Sequence, residues 1–304
     1  MTTRDRFLGC LLGLAVGDAV GTTLEFKPRG SFEPITDMTG GGPFHLAPGE
    51  WTDDTSMALC LASSLVERGE FDPADQMARY VRWKDEGYWS STGRFFDIGN
   101  ATASALARFK RTREPFAGST DPQSAGNGSI MRLAPAPMFF AADIAKAVHY
   151  SAESSRTTHA AAECLDACRL FGGVLVRALN GFAREDVLLG DARTWSGAPA
   201  IESIARGDYR AKAETAISGS GYVVKSLEAA LWCFDQTGSY EEAVLRAANL
   251  GDDADTTAAV CGQIAGAFYG AAGIPQRWLE RLAMREEIGG LASSLFARSG
   301  LVDS

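Results

Sequence analysis

Two clusters of aspartate and threonine near opposite ends of the chain carry the residue types best suited to chemistry: Trp51-Thr52-Asp53-Asp54-Thr55 and Gly251-Asp252-Asp253-Ala254-Asp255-Thr256-Thr257. Each opens a long segment of small, helix-patterned residues. Asp253 and Asp255, two apart, cannot share a face inside a regular helix, so they converge only where the chain turns into one. Helix starts stabilise carboxylates through free N–H groups and the positive end of the dipole. Five carboxylates drawn together from both clusters would nevertheless repel and raise one another's pKa, which calls for a cation between them. Ligands limited to carboxylate, hydroxyl and water suit a hard divalent ion such as Mg²⁺ or Mn²⁺, not zinc.

The elements that must position these clusters are helices. Met57, Cys60, Leu61 and Leu65 form one apolar stripe, and Val223, Leu227, Ala230, Leu231 and Phe234 another, at steps of three and four; strand alternation is nearly absent. Asp72-Pro73 reads as an N-cap followed by proline at the first helical position, and Ile274-Pro275 opens a further helix similarly. Loops fall at Lys27 to Gly49, Arg113 to Gly128 and Gly190 to Pro199, none of them marking a domain boundary. The expectation is an all-α fold, a single-domain orthogonal multi-helix bundle over residues 1–304 with a central cleft, built from both chain ends. Ala258 to Gly270, rich in small residues, reads as a central helix packed on all sides. The spacing of Gly262 and Gly266 also fits a membrane dimer motif, against which Gln263 and the shortness of the apolar run argue.

A hydrophobic content of 46% over 304 residues supports a substantial core, and a net charge of −9 gives no footprint for nucleic acid or an anionic membrane. The one dense basic run, Arg108 to Arg113, reads as a solvated helix end. Six cysteines without CxxC spacing read as buried thiols in a reducing cytoplasm, and three histidines leave no zinc set. Phe7 to Val16 after Arg4 and Arg6 has the shape of a secretory leader, but Asp5, Asp18 and the absence of a small-x-small cleavage site favour a buried first helix.

Five motifs in order resemble the ADP-ribosylglycohydrolase family. They are Gly13-Leu14-Ala15-Val16-Gly17-Asp18-Ala19-Val20-Gly21 followed by Glu25-Phe26, Trp51 to Thr55, Gly126-Asn127-Gly128-Ser129-Ile130-Met131-Arg132, Gly221-Tyr222-Val223-Val224, and Gly251 to Thr256. The likeness runs from the N-terminus to about residue 270 and is greatest to the bacterial branch that includes dinitrogenase reductase-activating glycohydrolase. It implies a centre of two divalent cations, Mg²⁺ or Mn²⁺, held by Thr52, Asp53, Asp54, Asp253, Asp255 and Thr256. It also implies Glu25 as the carboxyl group that protonates the leaving group or activates water. Asp97 would face the leaving group as in the arginine-specific branch, with a helix cap as the plain alternative. Asn127, Gly128, Ser129 and Met131 fall in the implied substrate loop, where residues 126–129 form a backbone nest for a pyrophosphate. Gly221 and Tyr222 would line the adenosine-ribose side. His159 is a further substrate-side candidate, more plainly structural than catalytic, and Arg132 either binds phosphate or pairs internally.

The function these residues imply is hydrolysis of the bond joining ADP-ribose to an acceptor, arginine on a protein in the first instance, by a cytoplasmic monomer. Serine-linked or poly-ADP-ribose, or a small acceptor, are alternative substrates, and a catalytically silent ADP-ribose-binding relative is an alternative class. Prenyl-diphosphate chemistry also uses aspartate clusters on helices, but neither cluster has its DDxxD spacing, and it leaves Thr52 and Thr256 unexplained.

Overall fold

The computed structural model describes residues 1–303. Among them are fourteen α-helices, five short 3-10 turns and only isolated β-bridges, so the chain is all-α as its periodicity predicts. The leader-like segment is a core helix, Thr3–Gly21, buried throughout from Gly9 to Gly21. It is long and apolar enough to cross a membrane, yet 94% of its apolar window is buried inside the protein.

What buries it is the second small-residue helix, Ala254–Tyr269. The two run antiparallel at backbone contact: a Cβ on Gly9, Gly13, Gly17 or Gly21 would lie 2.2–2.4 Å from the carbonyl oxygen of Gly266, Gly262, Ala258 or Ala254 in turn. Glycine at every fourth position thus removes the atoms that would hold the axes apart. The Gly262 and Gly266 pair is therefore an intramolecular seam rather than a dimer motif. Tyr240 Oη donates to the Gly13 carbonyl at 2.8 Å beside it. The consequence for function is positional: this seam sets the C-terminal end of the first helix, with Asp18 and the turn leading to Glu25, against the start of the last small-residue helix, with Asp253 and Asp255.

The third element of the site, helix Asp53–Arg68, begins at Thr52 and ends at Gly69 with φ 73°. Its stripe divides between two cores: Leu61 and Leu65 enter the main cluster, while Met57 and Cys60 pack with Tyr80, Trp83, Phe109 and Met131. The Asp72 cap is formed as expected, accepting from Ala74 and Asp75 N–H ahead of helix Pro73–Glu86, and Pro275 precedes helix Gln276–Arg281. All six cysteines are buried and free. The basic run is the end of helix Asn100–Thr112. Lys110 pairs with Asp85 at 2.8 Å, whereas Arg108 turns to the cleft described next.

Candidate active site

A cleft of about 1030 Å³ lies where these helix ends meet. Seven carboxylates line it, Glu25, Asp53, Asp54, Asp97, Asp252, Asp253 and Asp255, and among the described lining residues Arg108 is the only lysine or arginine. Asp53 and Asp54 occupy the first turn of their helix. Asp253 caps the other, with Asp255 in its first turn, which is the turning point that the two-residue spacing requires. Glu25 and Asp97 come from loops. One oxygen each of Glu25, Asp97 and Asp255 falls within 4.8 Å of the others.

Burial and mutual repulsion leave such a cluster unable to ionise fully. Burial, then the charges of Asp97, Asp253 and Asp18, push the Glu25 carboxyl up to about 9. Asp53 is driven well above the usual carboxylate range by burial and then by Asp97 and Asp54; Asp255 rises by burial and then by Glu25 and Asp54. Asp54 follows by burial and then by Asp18, while Asp97 and Asp253 rise chiefly by burial. Two oxygens, Asp54 Oδ2 and Asp255 Oδ1, are buried with no hydrogen-bond partner. A buried, unpartnered carboxylate oxygen costs several kcal/mol unless something positive meets it. The all-oxygen donor set and these two orphans fit a hard divalent cation.

Thr256 Oγ1 bonds Asp54 Oδ1 at 3.3 Å, joining the two clusters. Thr52 lies behind the cleft wall, its hydroxyl 2.9 Å from Asp18 Oδ1 and 3.3 Å from Asp255 Oδ2. Asp18 is the residue whose role the motif reading misses. Fully buried, it accepts from the N–H and hydroxyl of both Thr52 and Thr55 at 2.6–3.1 Å. It thereby fixes the start of the Asp53 helix against the first helix. Burial raises its carboxyl to about 6, against the pull of those donors. The available signal is a lone charge inside an otherwise uncharged run from Phe7 to Leu24.

The Gly126–Ser129 loop departs from the expected nest. The N–H groups of Gly126 and Asn127 donate to Ser124 and Gly221 carbonyls, so of this loop's four amides those of Gly128 and Ser129 are the two without a protein acceptor. Asn127 Nδ2 bonds Asp253 Oδ2 at 2.6 Å, tying this loop to the carboxylates. The Ser129 hydroxyl is turned into the core, accepting from Cys168 Sγ. Met131 lines the cleft while packing the smaller core. Arg132 resolves to internal pairing: wholly buried, it bonds the Gly128 carbonyl, Tyr80 Oη at 2.7 Å and Thr158 Oγ1 at 2.8 Å. Gln263 of the central helix holds the same loop from beneath, through the Met131 and Ile130 carbonyls and Ala134 N–H. Gly221 lines the cleft, but Tyr222 lies outside it, 39% exposed and bonded to Glu163, because its backbone pairs with Gly126.

His159 faces Gly126 and Gly128, its ring 2.7 Å from where a Gly128 Cβ would stand. Thr158 Oγ1 accepts from Arg132 and lies 2.8 Å from His159 Nδ1. In the tautomer where Nδ1 accepts the Thr158 proton, Nε2–H is a donor toward the cleft. Burial and Arg132 hold the ring's pKa down to about 3. A depressed histidine contributes stability at neutral pH that is lost as pH falls from 6.5 toward that value. His159→Gln is expected to flatten the fall of unfolding free energy below pH 6.5 by up to ~1.4 kcal/mol per pH unit. Denaturant titrations across pH check this, and parallel curves for the two proteins would contradict it.

With fold and site defined, the comparisons agree on the class. The profile of the ADP-ribosylglycohydrolase family matches residues 1–303. The chain is 49% identical over 299 residues to the ADP-ribosylarginine hydrolase Tri1 of Pseudomonas putida (strain GB-1), covering 98% of this chain and 80% of that protein. It is 31% identical over 315 residues to the ADP-ribosyl-[dinitrogen reductase] glycohydrolase of Rhodospirillum rubrum, covering 99% and 98%. A solved structure described as an ADP-ribosylglycohydrolase-related protein complex superposes with a TM-score of 0.88 at 44% identity, covering 98% of this chain and 99% of that one. The chain belongs to the ADP-ribosylglycohydrolase family.

Proposed function

We propose that this protein is a divalent-cation-dependent hydrolase that removes ADP-ribose from arginine side chains of proteins. The observation that carries the proposal is the seven-carboxylate cleft with two orphaned oxygens, lined on another side by Gly128, whose amide has no protein acceptor. Relatives named as hydrolases of ADP-ribosylarginine support the choice of acceptor. A main core cluster containing residues from both chain ends, Phe7 to Leu295, supports one domain over 1–304. The acidic balance and buried free thiols support action in the cytoplasm without nucleic acid or membrane.

Asp53, Asp54, Asp253, Asp255 and Thr256, with Thr52 behind them, would hold two Mg²⁺ or Mn²⁺ ions. Bound there, such ions supply Lewis-acid polarisation of the ribose hydroxyls and of a water. The pyrophosphate would be met by the Gly128 amide and His159, which line the cleft, with the neighbouring Ser129 amide. Glu25 acts on the proton at the scissile bond: its raised pKa suits a group that gives a proton to the departing nitrogen or takes one from water. Asn127 positions Asp253, and Asp18 positions Thr52, without touching the reacting atoms.

Asp97 decides the acceptor. A guanidinium is planar, permanently charged and best held by a carboxylate accepting two parallel N–H bonds. Asp97→Asn is therefore expected to weaken hydrolysis of arginine-linked ADP-ribose by roughly 1.5–3 kcal/mol in kcat/KM, the worth of a hydrogen bond to a charged group. Any serine-linked activity should stay almost unchanged. Since Asp97 also crowds Asp53, an equal loss on both substrates would assign it to the cation's ligand shell and remove the residue-level support for arginine.

A further inference from the structure

Three non-glycine residues lining the cleft, Phe26, Asp97 and Asp252, hold left-handed backbone, and of these only Phe26 is apolar. Phe26 has φ 61°, a left-handed conformation costing a bulky L-residue roughly 1–2 kcal/mol relative to glycine. The residue is 66% exposed and is part of the cleft lining. The backbone is held there from the opposite chain end: Phe26 N–H donates to the Asp252 carbonyl at 2.7 Å and Asp252 N–H to the Lys27 carbonyl at 2.8 Å. Arg29 braces the same turn through the Leu250 and Ile217 carbonyls. A residue that neither contributes to the core nor relaxes its backbone gains nothing for stability, so its ring is kept for what it meets in the cleft.

Its position names the ligand chemistry. Phe26 is anchored to the loop carrying Asp252 and Asp253 and follows Glu25, whose carboxyl stands with Asp97 and Asp255. These are the cleft's carboxylate-bearing segments, whereas Gly128 and His159 supply its uncharged lining. An exposed aromatic residue in the same cleft as Asp97, which stands outside the proposed ion-holding set, suits a flat, weakly hydrated cation that the ring quadrupole attracts and Asp97 neutralises.

We propose that Phe26 is a specificity-determining platform that stacks on the guanidinium of the acceptor, selecting arginine-linked ADP-ribose by cation–π contact. The inference rests on the arginine reading of the site. On this assignment the nucleotide half would bind independently of the ring.

The test compares wild type, Phe26→Ala and Phe26→Trp in turnover of ADP-ribosylarginine and in calorimetric binding of ADP-ribose alone. Removing the ring is expected to lower kcat/KM on the arginine-linked substrate roughly 3- to 30-fold, the span of exposed to desolvated cation–π contacts. Tryptophan should keep or exceed the wild-type value. ADP-ribose affinity should stay within about twofold, and melting temperature nearly constant because the ring is mostly exposed. Unchanged turnover in Phe26→Ala, or loss of ADP-ribose affinity in step with turnover, would overturn the platform, the latter by placing the ring against the nucleotide. Wild-type protein inactive on ADP-ribosylarginine while hydrolysing another linkage would refute the arginine reading itself, and the platform with it.

Discussion

Asp255→Ala is expected to abolish turnover and, with it, the stabilisation of the protein by divalent cations. Asp255 is 2% exposed, carries one of the two orphaned oxygens, and lies in the first turn of the helix that forms the central seam. In wild-type protein, added Mg²⁺ or Mn²⁺ is expected to bind only the folded chain, so the stabilisation should grow with concentration and reach about 2.7 kcal/mol at a hundredfold excess over Kd. Chelation should remove it. The metal-free variant should not melt below the metal-free wild type by more than the loss of a few contacts, because deleting one carboxylate relieves repulsion from Glu25 and Asp54. Asp53→Ala should behave alike. Thermal melts with and without cation, beside turnover assays, read both halves of the prediction; full activity in chelated protein would contradict it.

Glu25→Gln keeps the side chain's shape and removes its proton chemistry. We expect kcat to fall roughly 100-fold or more, the range of general acid–base contributions, with ADP-ribose affinity nearly retained because the interaction strengthens only as charge develops at the sugar carbon. Thr22 Oγ1 donates to Glu25 Oε2 at 3.3 Å, and the glutamine carbonyl can accept the same bond, so the loop should hold. Parallel measurement of product binding and single-turnover rate separates the roles. A variant that binds weakly yet turns over at the wild-type rate would make Glu25 a binding residue.

The carboxylates of the two helix starts were legible because their chemistry is local: two aspartates at adjacent or alternate positions exceed what capping needs. The all-α class was legible for the same reason, through periodicity within each segment. The closeness of the two chain ends was harder to read. It depends on Gly9, Gly13, Gly17 and Gly21 meeting Gly266, Gly262, Ala258 and Ala254, a complementarity that exists only between segments. Asp18 was hidden inside that seam. The substrate loop was legible as a loop but not in its wiring: Asn127 and Arg132 spend their hydrogen bonds on Asp253 and the buried Tyr80 and Thr158, and Ser129 turns toward Cys168. Tyr222 looked ligand-facing from the glycines before it, yet strand-like pairing with Gly126 carries its ring out to Glu163. Side-chain direction in loops is set by such long-range pairings, which spacing does not encode.

The central claim, a cation-dependent hydrolase of arginine-linked ADP-ribose, is tested most directly by mass spectrometry of an arginine-ADP-ribosylated protein incubated with this enzyme and Mg²⁺ or Mn²⁺. The account predicts release of intact ADP-ribose and return of the acceptor to its unmodified mass, with both stopped by chelation and by Asp255→Ala. An acceptor that keeps its modification while serine-linked or polymeric ADP-ribose is cleaved in the same tube would contradict it.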